Sequence, residues 1–147
     1  MKDDLLEITP LAKGGQKEVF SALHPVHGEV VLKLITPTTD SLERVKREIR
    51  AVSLMSSPFI PRILAHNCDE QNPDKIWLIE ERISGQSLRD ILKAGRIFTI
   101  GEIVHFLDTM LTIAEDSEKN SLVHRDIKPE NIMLDTDGNF WLFAFAN

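Results

Sequence analysis

Apolar residues switch repeatedly between strand-like and helical spacing along this chain. In the first third they form short β-rich runs, Lys17-Glu18-Val19-Phe20-Ser21 and Glu29-Val30-Val31-Leu32-Lys33-Leu34-Ile35, either side of the turn His24-Pro25-Val26-His27-Gly28. From Ser41 to Met55 the period becomes helical: Leu42, Val45, Ile49 and Val52 fall three or four apart and share a face. Asp40 with Glu43 reads as a capping box, and Ser56-Ser57-Pro58 closes the helix. Strands return around Arg62-Ile63-Leu64-Ala65-His66 and Ile76-Trp77-Leu78-Ile79-Glu80, with Asn72-Pro73-Asp74 turning the chain between them.

Beyond them, Ser84-Gly85-Gln86 reads as a linker, with Ser87 capping a helix from Leu88 to Lys93. A longer helix is predicted from Ile100 to Ser117, opened by the capping box of Thr99 and Glu102. Ile103, Phe106, Leu107, Met110, Leu111 and Ala114 give it one broad apolar face. Two short strands follow, Ile132-Met133-Leu134 and Phe140-Trp141-Leu142-Phe143, joined through Asp137-Gly138. A strand-rich part with one helix therefore precedes a mainly helical part, an α+β order with its boundary near Ser84-Gly85, giving units 1–83 and 84–147.

Composition narrows the class. A chain of 147 residues, 42% hydrophobic, suits a globular unit with a real core. The net charge of -6 argues against nucleic acid or an anionic membrane surface as partner. A lone cysteine, Cys68, excludes an internal disulfide framework, fits a reducing compartment and reads as a small buried side chain. The opening residues lack the pattern of a signal peptide, and no apolar run approaches the ~18 residues of a membrane span. The expectation is a cytoplasmic protein.

The chemistry concentrates in His124-Arg125-Asp126-Ile127-Lys128-Pro129-Glu130-Asn131. On residues alone this is a polar turn between a helix and a strand. It resembles the H-R-D-x-x-x-x-N catalytic loop of the eukaryotic-type serine/threonine protein kinase family. The resemblance implies that Asp126 orients and deprotonates a hydroxyl nucleophile and that Lys128 neutralises charge on the transferring phosphoryl group. It further implies that Asn131 offers an oxygen to Mg²⁺ and that Arg125 matches the arginine that pairs with a phosphorylated activation loop.

Other stretches extend the likeness. Val30-Val31-Leu32-Lys33 resembles the strand whose lysine contacts the α- and β-phosphates of ATP, although such a lysine also suits a strand edge. Glu48 is the matching candidate for its ion-pair partner; beside Arg47 and Arg50 it equally suits a solvated face. Anchored on Val19, the segment from Ala12 resembles the phosphate loop, with only the middle glycine kept as Gly14, Gly15 beside it, and Ala12 and Lys17 in the other glycine positions. Lys17 offers its own charge there, and without its context the segment is a plain hairpin. Trp77 to Gly85 resembles the interlobe hinge, where backbone groups of Glu81 and Ile83 meet the adenine edge. Glu80 then occupies an ordinarily apolar position, where a carboxylate needs a cation. Phe143-Ala144-Phe145-Ala146 falls where the family has x-Asp-Phe-Gly; Ala144 cannot bind a metal and Ala146 lacks glycine's freedom.

The resemblance implies a five-stranded antiparallel N-lobe with one long helix, then the first helices and catalytic loop of a truncated helical C-lobe. It implies ATP and Mg²⁺ as cofactors and a protein substrate or regulatory partner, with weak or absent catalysis. A nucleotide-binding pseudokinase, a structural half completed by another chain and a small-molecule kinase stay open. With no later helices to cover it, the 100–117 helix face, together with the apolar run from Trp141 to Ala146, is expected to drive self-association or pairing with another chain.

Overall fold

The alternating runs pair into an antiparallel sheet. The computed structural model describes residues 2–144. It divides into two compact units, Met1–Ile49 with Arg62–Arg82 and Arg50–Pro61 with Ile83–Asn147. The division after Arg82 falls one residue from the expected boundary, while residues 50–61 join the second unit instead of the first.

The first unit is built on strands β1 (Leu6–Lys13), β2 (Lys17–His24), β3 (Gly28–Ile35), β4 (Ile63–His66) and β5 (Ile76–Glu81). They lie in the order β1-β2-β3-β5-β4, and each pair is antiparallel. This is the expected α+β sheet of five strands. Only β1 lay outside the runs read from the pattern. Its eight residues are all exposed, it contains Pro10, and irregular register interrupts its pairing with β2. Such a strand is tolerated at a sheet edge but carries no burial signal.

Period-two alternation assigns the two faces. Val30 and Leu32 of β3 are buried with Ala22 and Ile79 on one side. Helix α1 (Ser41–Leu54) contributes to the opposite side, where Val45, Cys68, Ile76 and Leu78 form a second buried cluster with Ile35, Leu42 and Ile49 against it. The expected Asp40–Glu43 capping box does not form among the described residues. The Ser41 hydroxyl turns back instead, accepting from the Thr38 N–H at 2.7 Å and donating to the Thr38 carbonyl.

The second unit holds α2 (Leu88–Lys93), α3 (Ile100–Lys119) and a sheet of β6 (Gly85–Ser87), β7 (Ile132–Asp135) and β8 (Phe140–Leu142). Both expected caps are present: Ser87 Oγ accepts from the Asp90 N–H, and Thr99 and Glu102 form a reciprocal box. The expected linker is strand β6. A Cβ on Gly85 would lie 2.1 Å from the Leu134 carbonyl oxygen, so glycine is required for this close pairing. Asp116 explains why residues 50–61 belong here, because its carboxylate accepts the N–H groups of Ser56 and Ser57, each at 2.8 Å. Phe59 adds an edge contact to Trp141 and a carbonyl bonded by the Leu142 N–H.

The apolar face of α3 is narrower than its spacing suggests. Ile113, with Phe106 and Met110 beside it, faces the core of Ile132, Phe140 and Leu142, whereas Ile103, Leu107 and Leu111 are exposed. Leu142 is buried, so the expected exposed run is broken there; Phe145 and Ala146 lie outside the described residues. A groove of about 590 Å³ opens beside α3, lined mainly by apolar residues such as Phe106, Met110, Leu122, Val123 and Ile127.

Leu78 is fully buried between β3, β4 and α1. Leu78→Ala is expected to cost about 2–5 kcal/mol of unfolding free energy, measured by denaturant titration, from lost transfer energy and the cavity left behind.

Candidate functional site

In the first unit the sheet register places charges together. Lys33 of β3 lies opposite Val19 of β2 and Leu78 of β5, while Val31 lies opposite Glu80. Residues two apart share a face, so Lys33 and Glu80 are diagonal neighbours, within reach for long side chains. Lys33 Nζ meets Glu80 Oε1 at 2.5 Å, with the two side chains 14% and 7% exposed. The cation that a buried Glu80 requires is therefore Lys33.

This differs from the pairing expected for Lys33. Among the described residues its ion pair is with Glu80, and the half-buried Glu48 on α1 acts on it only through space. Burial by itself lowers the Lys33 pKa, but the carboxylates of Glu80 and then Glu48 outweigh it and hold the ammonium above the ordinary lysine value. Burial pushes the Glu48 carboxyl up; Lys33 opposes the shift and the Glu80 charge adds to it. Lys17, at the first position of β2, is held below the ordinary lysine value, first by desolvation and then by the Lys33 charge.

Other predicted positions are placed as follows. Gly14 and Gly15 lie in the turn from β1 to β2, where the Gly14 N–H donates to the Lys17 carbonyl at 2.8 Å. Neither has a positive φ, and a Cβ on Gly15 would meet nothing within 4 Å. Their lack of side chains leaves the backbone approachable, but the turn itself does not demand glycine. Glu81 ends β5; its N–H donates to the Arg62 carbonyl at 2.9 Å and its carboxylate accepts from the Arg62 N–H. Ile83 follows as a half-buried residue of the second unit.

In the second unit the loop after α3 is anchored from inside. His124 is buried; its Nδ1 accepts from the Asp126 N–H at 3.2 Å. That makes Nε2 the protonated nitrogen, which donates to the Phe143 carbonyl at 2.6 Å. Asn131 Nδ2 donates to the Asp126 carbonyl at 2.8 Å and to Asp126 Oδ2 at 3.1 Å, and the Asn131 carbonyl accepts from the Phe143 N–H. Lys128 Nζ lies 3.2 Å from the same Oδ2. Asp126 is held below the usual carboxylate range chiefly by its Lys128 hydrogen bond, which with Asn131 outweighs the opposing effect of desolvation. Asp126 Oδ1 and Asn131 Oδ1 carry no bond among the described residues, so one anionic and one neutral oxygen are uncommitted. Arg125 and Ala144 adopt left-handed backbone, φ 68° and 56°. Sequence reasoning did not foresee the tie from His124 to Phe143, whose only signal was the histidine before Arg125-Asp126.

Residues 7–146 match the protein kinase domain. The chain belongs to the protein kinase family. It is 31% identical over 97% of its length to human myosin-IIIa, covering 9% of that protein. It is 32% identical over 95% of its length to the probable serine/threonine-protein kinase KIN1 homolog of Enterocytozoon bieneusi, covering 23% of it. To the probable serine/threonine-protein kinase PknB of Corynebacterium glutamicum it is 26% identical over 92% of its length, covering 22%. It thus spans less than a quarter of each of these relatives.

The family uses ATP and Mg²⁺ in general. Among the described residues no group of three or more His, Cys, Asp or Glu could hold a metal alone. Likewise, no described helix is long and apolar enough to cross a membrane.

Removing one partner of a buried ion pair strands the other's charge. Lys33→Met should lower stability by about 3–5 kcal/mol, whereas Lys33→Met with Glu80→Leu should regain most of it, by denaturant unfolding of both variants.

Proposed function

We propose that this kinase-family chain binds ATP with Mg²⁺ and presents a serine/threonine kinase catalytic loop to a protein hydroxyl, with phosphoryl transfer weakened at Ala144. The observation that carries this reading is the ordered Asp126–Lys128–Asn131 constellation, in which Asp126 keeps one oxygen free. Asp126 Oδ1 accepts the hydroxyl proton, while Lys128 stands beside the same carboxylate to offset negative charge on the phosphoryl group. Asn131 Oδ1 would hold the metal, which when bound neutralises phosphate charge. Gly14, Gly15, Val19, Lys33 and Glu48 are assigned to the nucleotide's phosphate side, and the backbones of Glu81 and Ile83 to its adenine edge.

Ala144 has no oxygen to add to the metal shell. The loss of a charged ligand of this kind lowers transfer by orders of magnitude, since each ~1.4 kcal/mol of transition-state stabilisation is worth tenfold in rate. That residue, with Lys33 already bound to Glu80, favours a second reading, a nucleotide-binding pseudokinase that regulates a partner protein.

Thermal unfolding with ATP, with and without Mg²⁺, tests both. ATP at about 100 times its Kd should stabilise the chain by ~2.7 kcal/mol; no shift would contradict nucleotide binding. Ala144→Asp is sterically suited, because aspartate tolerates the left-handed backbone found there. It should make the ATP shift depend on Mg²⁺ and raise phosphate transfer to a generic protein substrate by at least tenfold over the parent chain. Restored Mg²⁺ dependence without transfer would favour the pseudokinase.

A further inference from the structure

On the charged face of the first unit, Lys17 carries no hydrogen bond or ion pair among the described residues, and Glu48 and Glu80 act on it only through space. Lys17 and Val19 lie on the same face of β2, and Val19 is opposite Lys33, so Lys17 and Lys33 project from the same side of neighbouring strands. Their circumstances differ. Lys33 is half-buried and closed by Glu80 at 2.5 Å, whereas Lys17 is an exposed residue whose ammonium has no hydrogen bond or ion pair among the described residues. Lys17 also begins its strand directly after the Gly14-Gly15-Gln16 turn, and its own carbonyl accepts the Gly14 N–H. The free charge therefore adjoins the side-chain-free backbone of that turn.

We propose that Lys17 is the principal phosphate-binding cation of this unit and that its ligand is the polyphosphate of a nucleoside di- or triphosphate. This rests on the nucleotide reading above and changes its division of labour: Lys33 neutralises the buried Glu80, and Lys17 meets the anion. Desolvation first, and then repulsion from the neighbouring Lys33 charge, hold Lys17 below its ordinary lysine value in the free chain, against the opposing pull of Glu48 and Glu80. An anion arriving at Lys17 relieves that repulsion, whereas an anion drawing on Lys33 must compete with Glu80 at close range. Charge-assisted contacts to phosphate favour the group that loses no existing partner.

The test is calorimetric titration of the full chain with ADP and, separately, with adenosine, which shares the base and sugar but lacks phosphate. Lys17→Gln should weaken ADP about tenfold, the scale of one charge-assisted contact, and leave adenosine unchanged. Lys17→Arg should restore ADP. Glu80→Gln, which releases Lys33, should strengthen ADP several-fold. Equal ADP affinity in Lys17→Gln and the parent chain would overturn the proposal while leaving nucleotide binding intact. So would an ADP affinity unmoved by Glu80→Gln. If the parent chain binds neither ADP nor adenosine, the nucleotide reading falls and this inference falls with it.

Discussion

A carboxylate buried in the face of a β-sheet determines much of how the first unit is arranged. Glu80 is buried on β5, where an unpaired charge would cost several kcal/mol. The sheet register resolves this by setting Lys33 diagonally across from it. The pair is a constraint as well as a solution, because a lysine bound at 2.5 Å to one carboxylate is not free for another partner. Glu48 is left to act at a distance, its carboxyl pushed up by burial, and Lys17 stays exposed with no ion pair among the described residues.

The second unit handles its chemistry differently. Its proposed functional groups sit on a loop with little regular structure, so rigidity has to come from hydrogen bonds. His124 supplies it by joining the Asp126 N–H on one ring nitrogen to the Phe143 carbonyl on the other. Asn131 bonds Asp126 twice and takes the Phe143 N–H on its carbonyl. The loop is thereby tied to the strand end that leads into Ala144. A side chain at Ala144 is thus held next to an ordered loop, and its identity matters more than its small size suggests.

What could be read from the sequence follows from how local each signal is. The helix starts at Ser87 and Thr99 and four of the five sheet strands are encoded within a few residues, and all were legible. The pairing of Lys33 with Glu80 joins positions 47 residues apart and depends on register, which no local pattern states. Glu80 could be seen to need a cation, but not which one. The strand at Gly85 was hidden because its burial and its glycine both depend on β7. On α3 the apolar positions were found, yet Ile113 shows that the buried stripe is rotated from the one their spacing favoured.

Residue-resolved titration of the lysine side chains by carbon-13 NMR, following the Cε shifts of Lys17 and Lys33 across the alkaline range, addresses the charge arrangement directly. With Lys33 closed onto Glu80 and Lys17 open beside it, Lys17 should lose its proton first, below the ordinary lysine value, and Lys33 last, above it. The stabilisation from Lys33 would then be fully present below the ordinary lysine value and lost as pH rises through its raised one. Lys33 deprotonating before Lys17 would contradict the Lys33–Glu80 pair and the division of charge built on it.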